Sequence, residues 1–391
     1  MKNSIIINNN ISQRFYKKKQ LKKNFKLASR TLSEIEKKID STNSIYNLFS
    51  KEQTFNHNLK DLKKYRKFKF VTIIGMGGSI LGSKAIYYFL KHKIKKDFLF
   101  LDNLDAGKID EFFKRKIEKK TLFIIISKSG NTLETLVNIS FFKKKLLNHK
   151  NTIIITEQNK GQLNNLSNKM GIRMVEHKKH IGGRYSVLSE VGMLPSYFMG
   201  LNISKFKKNL SIHFGKKNKN LLCKSASKLS QNYLSKKIRS IVFFNYCPEL
   251  NNAIYWCQQL LGESLGKKGK GILPILSPAP KDHHSLLQLY LDGPRDKIFY
   301  IISAKSIYKK KIGEKINKTV LSQRNAFIKV LKRKKIPYRE FHFKSISEES
   351  ITEFFSYFML ETIIISKLIN VNPFDQPSVE EVKILTKKKI I

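Results

Sequence analysis

The 391-residue chain carries 76 Lys and Arg residues against 29 Asp and Glu residues, which gives a formal net charge of +47. A hydrophobic content of 41% is typical of a globular protein and excludes a disordered chain. No apolar run reaches the roughly 18 residues that a membrane span needs, and the first ten residues lack the apolar core of a secretory signal.

The positive charge permits two interpretations. Binding to nucleic acid or to a membrane surface requires basic residues gathered on one face. The lysine-rich runs at 17–19, 216–219, 332–335 and 387–389 are instead spread along the chain. Lys, Asn, Ile, Phe and Tyr are abundant together, as expected from a genome rich in A and T. We therefore expect no nucleic-acid or membrane partner, although the charge should attract small anions toward a cleft.

Three widely spaced cysteines, Cys223, Cys247 and Cys257, form no CxxC pair. This spacing indicates neither a zinc site nor a disulfide framework. We predict reduced, buried thiols in a cytoplasmic protein without a metal site.

The chain divides into four predicted segments. Residues 1–66 are predicted to form an N-terminal helical arm. Residues 67–205 alternate short apolar strands with helices, and strands are predicted at 68–75, 98–101, 122–127, 152–156 and 174–175. Residues 206–371 repeat this pattern, with strands at 238–246, 272–276, 298–302 and 339–343 and helices at 250–262, 313–334 and 347–369. The polar segment 372–391 must pack on another part of the protein to be ordered.

Alternating strands and helices with short links predict parallel sheets covered on both faces. The predicted fold class is therefore α/β, with two parallel sheets each flanked by helices and with helical segments at both ends of the chain. In such folds, ligands bind at the carboxyl ends of the strands.

Two loops follow predicted strands of the first unit. The loop 75–82 (GMGGSILG) lacks the GxGxxG spacing of a dinucleotide site, and its glycines permit a close backbone approach to a ligand. The loop 127–132 (SKSGNT) places three hydroxyls and several backbone N–H groups before a helix, which favours a phosphomonoester. An ordinary tight turn and an ordinary helix cap are the alternatives for the two loops.

Three further residues are of the types that move protons or stabilise negative charge. Arg184 follows two glycines and suits the stabilisation of an oxyanion. Glu263, which is expected to follow helix 250–262, and His284 are candidates for acid–base catalysis. Considered alone, Arg184 is better explained as a surface arginine in a turn, whereas Glu263 and His284 are equally compatible with a surface or structural role.

The motifs GMGGSILG, SKSGNT, GGRYS, GES-x-GK, HHSLLQL and NPFDQPSVEEVK, in this order from about residue 71 to 383, resemble the blocks of the glucose-6-phosphate isomerase family. The resemblance implies two sugar-isomerase (SIS) domains and the reversible conversion of glucose 6-phosphate to fructose 6-phosphate in glycolysis and gluconeogenesis. It also implies no metal or organic cofactor. The family is usually dimeric, with an active site shared between subunits and a histidine contributed by the neighbour.

The resemblance assigns roles by motif position. Glu263 moves a proton between C1 and C2, and Arg184 stabilises the cis-enediolate. His284 and Lys383 serve ring opening, and Glu134 orients His284. The residues assigned to substrate binding are Gly78, Ser79, Ser127, Lys128 (through its backbone), Ser129, Thr132 and Gln376.

Two departures from the family pattern affect these assignments. Val382 stands where the family often has glycine before the lysine, which bears on the placement of Lys383. His283 precedes His284, so the ring-opening role passes to His283 if the alignment is shifted by one residue.

Several alternatives remain at this point. An isomerase that also accepts mannose 6-phosphate has the same residue spacing. A non-catalytic SIS regulator would lack the proton-transfer residues, which are present here. An amidotransferase would need a cysteine near its N-terminus, where this chain has Met1-Lys2-Asn3.

Overall fold

The structure, a computed structural model, describes residues 2–11, 15–55, 58–143, 146–158, 160–308 and 311–390. Its strands are β1 (Ile5–Asn10), β2 (Phe70–Gly75), β3 (Asp97–Leu101), β4 (Thr121–Ile126), β5 (Thr152–Thr156), β6 (Arg173–Glu176), β7 (Ser240–Asn245), β8 (Leu273–Pro278), β9 (Lys297–Ala304) and β10 (Tyr338–Phe343). Its α-helices are α1 (Lys18–Glu36), α2 (Leu59–Leu62), α3 (Leu81–Phe89), α4 (Ala106–Lys114), α5 (Leu133–Lys143), α6 (Gln162–Met170), α7 (Glu190–Phe198), α8 (Ile203–Lys207), α9 (Lys216–Ser235), α10 (Asn251–Leu265), α11 (Leu287–Asp292), α12 (Lys311–Arg333), α13 (Glu348–Leu368) and α14 (Ser378–Ile390).

The first sheet has the strand order β3-β2-β4-β5-β6, and every neighbouring pair is parallel. Strands β4 and β5 are buried at every position. Their continuous runs of apolar residues explain this burial, because helices cover both faces of a parallel sheet. The predicted strands of this unit lie within two residues of the observed ones, and the predicted α/β fold class is confirmed.

The second sheet has the strand order β1-β10-β9-β7-β8. Its last four strands are parallel, but β1 pairs with β10 in the antiparallel direction, from Ile5 opposite Phe343 to Asn10 opposite Tyr338. The prediction of a helical arm is therefore wrong for residues 5–10. Three consecutive asparagines, which are rare in strands, weakened the signal, and the pairing partner lies more than 300 residues away.

A buried ion pair ties this added strand to the sheet and to α13. The Arg339 guanidinium donates to both carboxylate oxygens of Glu361 at 2.8 Å, to the hydroxyl of Tyr357 at 2.6 Å and to Oδ1 of Asn9 at 2.7 Å. Arg339 is fully buried, and it lies over the ring of Tyr300. Because both charges are paired and make further hydrogen bonds, the pair fixes where β10, α13 and β1 meet.

Helices α10 and α13 connect the two sheets. Helix α13 is buried along nearly its whole length, and α10 packs against both α13 and α3. Helix α3 follows the glycine loop of the first sheet, whereas α10 belongs to the second unit. The shared core therefore positions the end of α10 next to the carboxyl end of the first sheet.

Two elements near the predicted site differ from the sequence prediction. Helix α10 continues to Leu265, so that Glu263 lies in its last turn and does not follow it. Residues 378–390 form α14, a helix whose described side chains are exposed, and only residues 372–376 before it contact the site.

The predicted domain limits stay predictions. The limit at 205/206 falls within the short helix α8. Among the described residues, no helix has the length and apolar character that a membrane crossing requires.

Candidate active site

Two glycine turns touch each other at the carboxyl end of β2. A Cβ atom on Gly78 would lie 2.2 Å from the carbonyl carbon of Gly183 and 2.5 Å from the backbone nitrogen of Arg184. Such distances exclude any side chain at Gly78, since nothing here but backbone is available to move. The glycine loop thus provides the surface on which the turn carrying Arg184 rests.

The Arg184 guanidinium is buried and uses all of its five N–H groups. Its Nε donates to Ser264 Oγ at 2.9 Å, and Nη1 donates to Glu263 Oε2 at 3.0 Å and to Gln376 Oε1. Its Nη2 donates to the carbonyl oxygens of Pro373 at 2.6 Å and Asp375 at 2.8 Å. Arg184 therefore joins the last turn of α10 to residues 372–376, which we call the strap.

The carboxylate of Glu263 is held from two sides. Its Oε1 accepts a hydrogen bond from Gln259 Nε2 at 2.9 Å, one helical turn earlier, and its Oε2 accepts from Arg184. About 30% of the side chain is still exposed to solvent. A carboxylate that is oriented at both oxygens and open on one side is suited to take a proton from a bound molecule.

The strap is attached to the same helix end by a second cation. The Lys267 ammonium donates to the carbonyl oxygen of Asp375 at 2.6 Å, to its carboxylate Oδ1 at 2.6 Å and to the carbonyl oxygen of Asn372. Its hydrogen bond lowers the pKa of the Asp375 carboxyl below the usual value. Phe374 packs against the buried ring of Tyr185, with ring centroids 5.5 Å apart. Two cations and one aromatic contact thus hold Gln376 beside Glu263.

The loop 127–132 begins where β4 ends, next to Gly75 at the end of β2. Ser127 is buried, and its Oγ lies 2.9 Å from Thr132 Oγ1. The Ser129 Oγ accepts from the backbone N–H of Asn131 at 3.2 Å, and Gly130 has a positive φ of 70°. These hydroxyls and N–H groups precede the start of α5, where a helix favours an anion.

The Lys128 side chain points away from this loop. Its Nζ donates to the carbonyl oxygen of Lys179 at 2.8 Å and lies 3.4 Å from Glu157 Oε1. Only its backbone is therefore placed to contact a molecule at residues 127–132, which is the role that the sequence assigned to it.

Three predicted residues lie outside this arrangement. His284 is exposed, Lys383 lies on α14 with its Nζ 2.7 Å from Glu380 Oε1, and Glu134 lies in the first turn of α5. Among the described residues, none of the three makes a hydrogen bond or an ion pair with Glu263 or Arg184.

The two neighbouring histidines have different surroundings. His283 stacks on Phe244, with ring centroids 5.3 Å apart, and its Nε2 lies 2.7 Å from the hydroxyl of Tyr246. Burial lowers the pKa of His283. His283 thus packs against side chains of the second sheet, whereas the His284 side chain faces solvent.

Val382 lies in a regular turn of α14 and has a negative φ. Its side chain is 67% exposed. No positive φ is required at this position, so the bulk of Val382 does not constrain the backbone before Lys383.

Sequence reasoning missed three polar residues that hold this site: Gln259, Ser264 and Lys267. Gln259 lies four residues before Glu263 and therefore on the same face of α10, a spacing that is visible in the sequence. Ser264 and Lys267 belong to the motif GES-x-GK itself. The partners of Lys267 in the strap could not be found, since they lie more than 100 residues away. Ser264 accepts a hydrogen bond from Arg184, which lies 80 residues away.

Comparison with known proteins agrees with the fold and with these motifs. The family model described as phosphoglucose isomerase matches residues 27–271. A glucose-6-phosphate isomerase of Methanocaldococcus jannaschii is 32% identical over 378 residues, covering 88% of this chain and 92% of that protein. A crystal structure of a glucose-6-phosphate isomerase from Chlamydia trachomatis superposes with a TM-score of 0.78 at 17% identity, covering 99% of this chain and 88% of that one. A hypothetical protein of Thermus thermophilus superposes with a TM-score of 0.82 at 24% identity, covering 98% and 100%.

The class of protein follows from these matches together with the paired sheets: it is an aldose–ketose isomerase. The chain belongs to the phosphoglucose isomerase family. The predictions of family, fold class and isomerase activity are thereby confirmed. The roles of individual residues stay predictions.

Proposed function

We propose that this chain interconverts glucose 6-phosphate and fructose 6-phosphate, in glycolysis and gluconeogenesis, by a proton transfer that Glu263 performs through a cis-enediolate. The observation that carries this proposal is the carboxylate of Glu263, oriented by Gln259 and Arg184 and open to solvent on one side. One carboxylate can serve both carbons, because C1 and C2 are adjacent and are reached from the same face of the planar enediolate. The guanidinium of Arg184 offsets the developing negative charge.

The sugar phosphate would be held at two places. The hydroxyls of Ser127, Ser129 and Thr132, with the backbone N–H of Lys128, would bind the phosphate at the start of α5. Gly78 and Ser79 would line the sugar, and Gln376 would contact it from the strap. Anchoring the non-reacting phosphate orients the carbons that react.

Ring opening would require the three predicted residues that lie outside the arrangement around Glu263. His284 and Lys383 would exchange protons with the ring oxygen and the C1 hydroxyl, and Glu134 would orient His284. His284 is exposed and makes no contact with Glu263 in its own chain, which supports a site shared between two subunits of a homodimer. A cytoplasmic location is also proposed, on the basis of three cysteines that are all buried and unpaired.

The reaction is tested by a coupled assay of fructose 6-phosphate conversion with Glu263→Gln. We expect kcat to fall by about 10²–10⁴-fold, because the general base is lost while its shape is kept. The matched control, Glu111→Gln, changes an exposed glutamate on α4 and should retain full activity. Full activity in the Glu263→Gln variant would show that Glu263 is not the general base. The same assay with mannose 6-phosphate decides whether the enzyme accepts both sugars.

The shared site is tested by complementation. Glu263→Gln and His284→Ala, unfolded together and refolded as a mixture, should regain about a quarter of wild-type activity, since half of the dimers would be mixed and one of their two sites intact. If both residues act within one chain, the mixture should show no more activity than its two components.

A further inference from the structure

The residues that lead into the first sheet are strongly basic. We call the three segments 63–69, 91–96 and 114–120 the basic edge. Fourteen of their twenty residues are Lys or Arg and one is acidic, whereas the whole chain has 76 basic residues in 391. Part of the charge that is scattered along the sequence is therefore concentrated at one place in the fold.

The topology brings these segments together. They precede β2, β3 and β4, and β2 lies between the other two strands, with Phe70 opposite both Asp97 and Thr121. Neighbouring strands are about 4.8 Å apart, so the three segments lie side by side. They lie at the amino ends of the strands, on the opposite edge of the sheet from the loops that carry Gly78 and Ser127.

Most cations of the basic edge have no ion-pair partner in the part of the chain that the structure describes. Among the described residues, only two cations of the basic edge form ion pairs, Lys93 with Glu348 and Lys114 with Asp110. The Lys96 Nζ donates to the backbone carbonyl of Arg66 at 2.8 Å, and burial together with the Arg66 charge lowers the pKa of Lys96. A bound anion would relieve the repulsion between these neighbouring cations.

An open cavity of about 390 Å³ lies between the first two segments. Five cations line it, together with two phenylalanines and one acid: Arg66, Lys67, Phe68, Lys69, Phe70, Lys95, Lys96 and Asp97. Phe68 is buried and Phe70 half-buried, so neither ring is presented flat to solvent as a base-stacking surface would be. The cavity is suited to phosphate groups and not to the recognition of bases.

We propose that the basic edge binds the phosphate backbone of nucleic acid without base preference. A row of cations across three adjacent strand ends suits a linear chain of phosphates better than one small anion. A lipid surface would favour exposed apolar side chains beside the lysines, and the basic edge exposes no large apolar residue. This proposal revises the expectation, drawn from the sequence, that the charge has no nucleic-acid partner.

The test compares two variants with the same net charge. The edge variant carries Lys67→Glu, Lys69→Glu and Lys95→Glu, and the control carries Lys315→Glu, Lys318→Glu and Lys329→Glu on α12. All six lysines are exposed and none is in an ion pair among the described residues. Binding of a fluorescein-labelled 20-nucleotide oligo-dT is measured by anisotropy between 50 and 200 mM salt.

The edge variant should bind about 100-fold more weakly than wild type at 0.1 M salt, and its log–log salt slope should be smaller by about two, since each lost phosphate contact removes about 0.7 from the slope. The control should stay within about threefold of wild type. Both variants should keep full isomerase activity, because the basic edge lies away from the site.

Equal losses in both variants would overturn the proposal in favour of diffuse attraction by net charge. Binding to phosphatidylserine vesicles without binding to oligo-dT would also overturn it, in favour of a lipid surface. If the edge variant does not fold, Lys67→Gln, Lys69→Gln and Lys95→Gln replace it, with an expected loss of about tenfold and the matching glutamine control on α12.

Discussion

The candidate site has two halves that differ in how far one chain completes them. In the inner half, formed by Arg184, Glu263 and Gln376, the buried Arg184 donates hydrogen bonds directly to the other two side chains. The outer half, formed by Glu134, His284 and Lys383, consists of residues on α5, on the loop before α11 and on α14 that make no contact with the inner half among the described residues. One chain thus fixes the groups proposed for proton transfer and leaves open those proposed for ring opening.

This difference matches the demands of the two steps. Proton transfer between adjacent carbons needs a base held in place before the substrate arrives. Ring opening acts on a substrate that is already bound and tolerates groups that arrive from another chain or move into place. Substitutions in the inner half should therefore have larger effects than those in the outer half.

The largest combined effect on activity and stability is expected for Arg184→Lys. One ammonium cannot replace five N–H donors, so Ser264 and the strap carbonyls lose their partners, which costs about 1–3 kcal/mol for each group that stays buried. We expect kcat/KM to fall by about 10³-fold and the free energy of unfolding to fall as well. Steady-state kinetics and denaturant unfolding measure the two effects. Wild-type kinetics in this variant would mean that the inner half is not organised around Arg184.

A smaller effect is expected for Lys267→Met, which removes one of the two cations that hold the strap. Gln376 and the Arg184 contacts then lose support, and kcat should fall by about 10–100-fold with little change in overall stability. Asp375→Asn should show a weaker loss of the same kind, because the strap carbonyl bonds remain. Lys268→Met, at the exposed neighbouring lysine, should be silent. If Lys268→Met has the larger effect, the strap is not held as described.

The outer half is examined by replacing His284 and, for comparison, the neighbouring His283. His284→Ala should lower kcat for the closed-ring sugar by about 10²-fold and leave stability unchanged. His283→Ala should instead lower the free energy of unfolding by about 1–3 kcal/mol, through lost packing on Phe244, and keep most of the activity. The opposite pattern would transfer the ring-opening role to His283.

The smallest effect on activity is expected for a residue that holds the segment beside β1, which belongs to neither half. Buried Glu353 accepts hydrogen bonds from the backbone N–H of Ser4 at 2.7 Å and from Asn209 Nδ2 at 3.2 Å, yet burial raises its pKa to about 7. The folded protein therefore holds a proton that the unfolded chain has released, so this contribution to stability is present at low pH and is lost as the pH rises from about 4.5 to 7.

Glu353→Gln should remove this dependence. Relative to the variant, the wild type should lose stability between pH 5 and pH 7 and change little above pH 8, as measured by urea unfolding at each pH. Isomerase activity should be the same in both proteins. A stability difference that grows with rising pH in favour of the wild type would show that Glu353 is ionised in the folded protein.

The features that the sequence alone predicted are those that depend on residues close together in the chain. Buried strands followed by polar loops revealed the first sheet, and the motifs identified most of the residues of both halves. It placed the end of α10 three residues too early, because Gly262 looked like a helix end. A glycine within a helix costs about 1 kcal/mol, which the burial of Leu260, Leu261 and Leu265 offsets.

What the sequence could not predict are contacts between distant segments. The bonds from Arg184 to the strap span about 190 residues, and the pairing of β1 with β10 spans more than 300. No local sequence pattern indicates such partners, since the residues around a lysine or a carbonyl group do not show whether it bonds to a distant segment. The grouping of the three segments of the basic edge could not be predicted from the sequence either, because it depends on strand order.

The strap also sets the order in which the enzyme is completed during its synthesis. Arg184, Glu263 and Lys267 are synthesised more than 100 residues before residues 372–376. Both sheets and the core helix α13 precede them, so the body of the protein folds with an unfinished inner half. A chain truncated before residue 372 should therefore lack the contacts that hold Gln376 beside Glu263, and we expect it to lose catalytic activity.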